Sequence, residues 1–199
     1  MKKFLVLILL VSLVICGCSN KKDKEKDNDL FSGKYYVEIV FKDYGKVIVE
    51  LDADEAPITV TNFLKLVNSK FYDGLKIHRV VKDFLIQGGA NFNNSAQTIK
   101  GEFSANGINN NIKHTRGTIS MARRDDNYDS ASAQFFIMIE DSPSLDGYYA
   151  AFGHVIKGMD VVDKIGKLES MPETNGILED KNQPIIERIV EIDSSTIGD

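Results

Sequence analysis

Beyond residue 18 the chain has no cysteine; Cys16 and Cys18 both lie in the N-terminal segment. No internal disulfide can form in the remainder, so its fold must hold by an apolar core. At 199 residues with 43% hydrophobic composition that is feasible. Tryptophan is absent, so a stacking surface must use Phe, Tyr or Arg. The three histidines, His78, His114 and His154, are far apart and have no cysteine near them, which argues against a metal site. The formal net charge is −5, with acidic and basic residues interleaved and no basic block. Phosphate backbones require clustered Lys and Arg, so nucleic acid is not an expected partner. There is no G-x-S-x-G elbow and no phosphate-cradling glycine loop. No pair of carboxylates stands out for acid–base work. A Ser-His-Asp triad has no local motif here, although distant residues could assemble one. What remains is binding, or a reaction needing neither nucleophile nor metal.

The N-terminus carries an address. Lys2 and Lys3 precede an apolar run from Phe4 to Ile15, followed by ICGCSN. A positive start, a short apolar stretch and small residues at its end describe a secretory signal, here residues 1–17. The run falls short of the roughly 20 residues that a spanning helix needs. Ile15-Cys16-Gly17-Cys18 resembles a bacterial lipobox, with an aliphatic residue at −3 and a small one at −1 relative to Cys18. Cys16 fits poorly, because Ile15 would then occupy −1. The reading is a lipoprotein with acyl chains, palmitate among them, on Cys18; the bland alternative is an ordinary cleaved signal. Two acyl chains at ~0.8 kcal/mol per buried methylene suffice for stable anchoring. The protein is then expected outside the cytoplasm, held to the cell membrane by lipid. Residues 18–34 complete this segment as a charged tether. In SNKKDKEKDND four lysines balance four acidic residues and nothing apolar appears before Leu30, so ordering it would not be offset by burial.

Residues 35–193 read as one domain, with 194–199 as a tail. YYVEIVF and KVIVELD alternate around Asp43-Tyr44-Gly45, a hairpin signal. Pro57 opens a helix with Val60, Phe63, Leu64 and Val67 on one face. KIHRVVKDFLIQGG gives two strands around a Lys-Asp turn. Residues 90–113 are mostly loop, a length that is uncommon unless functional. GTISMA, QFFIMI and YAAFGHVI follow as strands, with the polar loop RRDDNYDSASA between the first two. Gly158 to Ile165 is a short helix, Glu169 to Gln183 a loop, and PIIERIVEI a closing strand. Many short strands with two separated helices indicate an antiparallel barrel or sandwich.

Within KIHRVVKDFLIQGG the polar residues are unusual, because Arg and Gln are rarely buried without partners. FYDGLKIHRVVKDFLIQGG, GEFSANGINNNIKHTRGTISMAR, SAQFFIMI and LDGYYAAFGHVIKGMDVVDKI together resemble a cyclophilin-type peptidyl-prolyl cis-trans isomerase, in the family's order. The likeness runs from Tyr35 to Ile192 and is greatest to bacterial members. It implies a mainly β fold: a closed eight-stranded antiparallel barrel capped by two helices, with a packed interior and the groove outside. It also implies a reaction without covalent chemistry. Rotation about an Xaa-Pro bond faces a barrier of roughly 18–20 kcal/mol and takes tens to hundreds of seconds uncatalysed.

By that resemblance Arg79 is the residue that assists rotation, with Gln87 and Phe84 completing the catalytic set. Phe84, Leu85 and Phe136 form the floor for the proline ring. Gln87 binds substrate backbone and orients the arginine. Ala122 and Arg123 match positions whose backbone pairs with an extended peptide, and Gln134, Leu145 and Tyr149 complete the groove. His78 matches a family histidine and is left out of the catalytic set. Taken alone, each has a plainer reading: Arg79 and Arg123 as surface charges, Phe84 and Phe136 as core. Where well-studied eukaryotic members have Trp, Asn and His, this chain has Ser144, Arg123 and Tyr149, and its 124–133 loop is longer. The missing indole removes apolar area and a donor that high affinity for cyclosporin-like ligands would draw on. The expected partners are proline-containing polypeptides of secreted or surface proteins, met by a monomer with no cofactor and no metal. The alternative is a lipid-anchored surface binding module, a receptor or adhesin on the same scaffold with weak or irrelevant isomerase activity.

Overall fold

The structure, a computed structural model, describes residues 30–91 and 95–198. The signal segment, Cys18 and the tether up to residue 29 lie outside the described residues. The elements in chain order are β1 (Lys34–Phe41), β2 (Gly45–Asp52), α1 (Pro57–Asn68), β3 (Ile77–Val81), β4 (Leu85–Gly88), β5 (Thr118–Met121), β6 (Phe135–Met138), β7 (Ala151–Lys157), α2 (Met159–Gly166) and β8 (Ile186–Ile192). All eight strands join one antiparallel sheet in the order β3-β4-β6-β5-β7-β2-β1-β8. Each expected element is present. The last four strands are shorter than the apolar runs that announced them, and residues 95–113 hold a single 3-10 turn at Ser104–Asn106.

The expected closed barrel is corrected. The sheet is an open half-barrel whose edge strands, β3 and β8, share no ladder. They approach where Ile77 N–H donates to Pro184 O and Ile186 N–H to Leu75 O, around the isolated bridge Lys76–Ile185. Two physical reasons stop the pairing there. Pro184 has no N–H to return. Further along, the free edge of β3 is taken by the loop that follows α2: Leu178 N–H donates to His78 O and Val80 N–H to Gly176 O.

The sheet buries both faces near β4, β5 and β6, and this explains their continuous apolar runs. β5 and β6 are buried at every position. Inward residues, among them Val80, Ile86, Ile119 and Ile137, join the main core with Phe63, Phe135 and Phe152. Outward residues Leu85, Phe136 and Met138 form a second, smaller cluster. Alternation along each strand therefore assigns neighbouring residues to different cores.

α1 packs the face expected of it, with Val60, Phe63, Leu64 and Val67 buried. Its N-cap, Ala56, has no side chain that can accept. The acceptor comes from a distant loop: the carboxylate of Glu102, 1% exposed, takes the N–H groups of Ile58 (2.9 Å) and Thr59 (2.7 Å). A negative charge at a helix N-terminus also meets the positive end of the helix dipole.

Candidate active site

β3, β4 and β6 lie side by side, and their register builds one wall of a groove. Arg79 pairs with Gln87 across β3 and β4, and Gln87 pairs with Phe136 across β4 and β6. All three side chains are on the outward face. Two residues on, Val81 faces Leu85 and Leu85 faces Met138, which supplies the apolar part. The groove has a volume of about 390 Å³. Its lining includes Arg79, Phe84, Leu85, Gln87, Ala122 and Arg123, together with Phe136, Leu145 and Tyr149. Gln134 is not a lining residue; it joins through Gln87.

Arg79 is held on two sides. Its Nε donates to Asn175 O at 2.8 Å, and its Nη1 to Gln87 Oε1 at 2.9 Å. The amide of Gln87 then donates through Nε2 to Gln134 Oε1 at 3.1 Å, which fixes the amide's orientation. Among the described residues the second guanidinium nitrogen has no partner and remains for a ligand. Burial lowers the Arg79 pKa, opposed by Tyr149, but arginine starts so high that it keeps its charge. His78 beside it is also lowered, by burial first and by the Arg79 charge second.

The groove floor has a buried polar backing. The His114 ring stacks on Phe136 with centroids 6.0 Å apart. Asp146 Oδ1 accepts from the His114 backbone N–H (2.8 Å) and lies 3.1 Å from ring Nδ1, while ring Nε2 lies 3.1 Å from Ser120 Oγ. With the carboxylate fixing Nδ1 as donor, Nε2 accepts the serine hydroxyl. Burial pushes the His114 pKa below its ordinary value despite Asp146. Burial would raise the Asp146 carboxyl, but the N–H and ring of His114 leave it net below the usual carboxylate range. This is a Ser-His-Asp constellation, but Ser120 is fully buried and His114 is 1% exposed, so no substrate reaches the hydroxyl. It supports Phe136 and is not a nucleophile.

The Ala122 N–H is already donated to Gln134 O. The Ala122 carbonyl and the Arg123 N–H are thus the groups this segment can offer a peptide. Arg123 Cζ lies 4.6 Å from the Tyr149 ring centroid, 4.8 Å from Tyr128 and 5.5 Å from Phe103. It is neither a free surface charge nor a backbone position alone. The sequence reading missed Asn175, Asp125, Tyr128 and Phe103. Asn175 had a signal, since Asn-Gly within a loop marks a turn requiring positive φ. Asn175 has φ +54° and Gly176 φ +95°. A Cβ on Gly176 would stand 2.6 Å from Val80 O. Tyr128 and Phe103 had none, because their convergence depends on two loops.

An antiparallel half-barrel with two helices and an outward groove of arginine, glutamine and phenylalanine defines a cyclophilin-class protein. Residues 36–192 match the family described as cyclophilin type peptidyl-prolyl cis-trans isomerase/CLD, and the chain belongs to that family. It is 41% identical over 131 residues to peptidyl-prolyl cis-trans isomerase A of Dickeya dadantii, covering 63% of this chain and 68% of that protein. It is 38% identical over 152 residues to peptidyl-prolyl cis-trans isomerase B of Escherichia coli, covering 68% and 92%. The crystal structure of a Cryptosporidium parvum cyclophilin-type isomerase superposes with a TM-score of 0.71 at 26% identity, covering 81% of this chain and 99% of that one. A second structure of that protein, in the presence of the dipeptide Ala-Pro, gives 0.69 at 27% identity, covering 80% and 99%. The protein is a peptidyl-prolyl cis-trans isomerase. The binding-module alternative gains no support from these relatives.

Proposed function

We propose that the protein is a lipid-anchored, extracytoplasmic isomerase that accelerates rotation about Xaa-Pro bonds in secreted or surface polypeptides, acting as a monomer. The proline ring rests on Phe84, Leu85 and Phe136, the apolar part of the groove lining. The flanking chain pairs with the Ala122 carbonyl and Arg123 N–H. As the amide twists, conjugation is lost and a lone pair localises on the proline nitrogen. A guanidinium aimed there binds the twisted state better than either planar isomer, the condition for catalysis. The observation that carries this reading is Arg79, braced by Asn175 O and Gln87 Oε1 with donor capacity left over. Gln87 and Gln134 act as its brace. Exchange between cis and trans forms of a short Xaa-Pro peptide, followed by NMR, tests it: the protein accelerates exchange and Arg79→Ala abolishes the gain. A folded protein that leaves exchange unchanged would sink the reading.

The anchor rests on the lipobox at Ile15–Cys18 and the charged tether behind it. Cys18→Ser should shift the protein from the membrane to the soluble fraction. Continued tight association would refute a lipid on that cysteine.

A further inference from the structure

The groove holds a second guanidinium to which the isomerisation itself gives no task. Arg123 lines the same cavity as Arg79. Its Nε donates to Tyr148 O (2.9 Å) and its Nη1 to Arg124 O (2.8 Å), with three aromatic rings around its Cζ. Carbonyl dipoles and ring faces position a cation without cancelling its charge. Among the described residues no carboxylate forms an ion pair with it, whereas the adjacent Arg124 is paired with Asp126 at 3.2 Å. Arg79 likewise has only a carbonyl and an amide oxygen as partners. Two uncompensated guanidinium groups therefore face one groove on a protein whose net charge is −5. The single carboxylate in the lining is Asp125. A cleft of one sign with apolar walls focuses its field on the ligand.

We propose that Arg123 is a specificity-determining residue that makes the groove favour clients with Asp or Glu within two residues of the proline, since extended chain advances roughly 3.3 Å per residue. This rests on the reading of the groove as the prolyl-peptide site. Arg79 is committed to the proline nitrogen, so the side chain of a neighbouring client residue meets Arg123. The clamp holds the guanidinium in place before the client arrives, so little further ordering is needed when a carboxylate binds. Asp125 works in the opposite sense and moderates the preference.

The test uses the full-length protein and neutral-ended peptides of one sequence, with Glu, Gln or Lys placed in turn at each of two positions on either side of the proline. Both kcat/KM, from NMR exchange, and Kd, from NMR titration, are measured. At one position at least, the Glu peptide should exceed the Lys peptide by about threefold to tenfold, the scale of a partly exposed ion pair, with Gln between. Arg123→Gln should bring that ratio towards one whatever it does to the absolute rate. Asp125→Asn should widen it, and high salt should compress it. A ratio of one or below at every position, or a ratio that survives Arg123→Gln, overturns the inference. Failure of the isomerase reading looks different: the Gln peptide is then not accelerated at all, while the Kd ratio still reports on Arg123.

Discussion

Replacing Arg79 by alanine should separate activity from stability. The side chain is half-buried, and its two hydrogen bonds go to Asn175 O and Gln87 Oε1. Each is worth about 1 kcal/mol net, and water can reach both acceptors once the side chain is gone, so the fold should lose about 1–2 kcal/mol. Loss of a donor that acts only on the twisted state costs about 2.7–4 kcal/mol of barrier, or roughly 10²–10³ in rate. The adjacent residue gives the opposite result. Val80 is 1% exposed and belongs to the main core. Removing its methyl groups at ~0.8 kcal/mol each plus a cavity term should cost about 2 kcal/mol, with activity of the folded fraction unchanged. Arg79→Lys discriminates further, because one ammonium cannot contact Asn175 and Gln87 and still present a fixed donor to the groove. The assays are cis–trans exchange of an Xaa-Pro peptide and urea unfolding of each variant. An Arg79→Ala protein that unfolds, or that retains activity within about threefold, would refute the assignment of Arg79 to the rotation step.

Glu102→Ala should cost about 2–4 kcal/mol by urea unfolding, since it leaves the Ile58 and Thr59 N–H groups without acceptors at the start of α1; a loss under about 1 kcal/mol would show that water replaces the carboxylate. Gly176→Ala should lower activity by about threefold to tenfold by moving Asn175 O off the Arg79 Nε, because φ is +95° and the new Cβ would meet Val80 O at 2.6 Å. Gly33→Ala, also at positive φ but with nothing within 4 Å, should cost stability alone; equal effects on activity would remove Asn175 from the mechanism. Burial lowers the pKa of His78, His114 and His154 in the folded protein. The unfolded chain therefore takes up protons first, and the histidine contribution to stability should be constant above about pH 7.5 and fall as the pH drops through 6.5 toward the folded-state pKa values. For His114, 1% exposed, the slope is bounded by about 1.4 kcal/mol per pH unit. A urea midpoint unchanged between pH 7.5 and 5, or a His114→Gln variant with the same slope, would contradict this.

The strands, α1, α2 and the groove were legible because each rests on local signals. Period-2 runs gave β1 and β2, the Pro57 start and apolar stripe gave α1, and the groove residues Arg79, Phe84 and Gln87 came from the family resemblance that the His-Arg and Phe-x-x-Gln-Gly-Gly motifs carry. Closure of the barrel was not legible. It depends on whether β8 reaches β3 with an N–H to donate, and Pro184 together with the 176–178 loop decides that in three dimensions. The acceptor for α1 was hidden for the same reason, since Glu102 lies more than 40 residues from the N–H groups it satisfies. The cage around Arg123 is assembled from Phe103, Tyr128 and Tyr149, which share no periodicity.

A sheet buried on both faces also explains how a small domain can carry a rigid site without surrendering core. Along β4 and β6 the residues alternate between the main cluster and the groove: Leu85 and Gln87 outward, Ile86 inward, Phe135 inward, Phe136 outward, Ile137 inward. Rotation catalysis requires a donor and floor that do not move with the twisting amide, because any relaxation of the protein toward the planar isomers weakens the differential binding. Strands pinned by a core on their far side supply that rigidity, and His114, held between Asp146 and Ser120, supplies it beneath Phe136. Ser120→Ala and His114→Gln should therefore act on activity through Phe136 and lower turnover more than affinity. If both variants instead raise KM with kcat unchanged, the buried constellation shapes the groove for binding and contributes nothing to holding the twisted state.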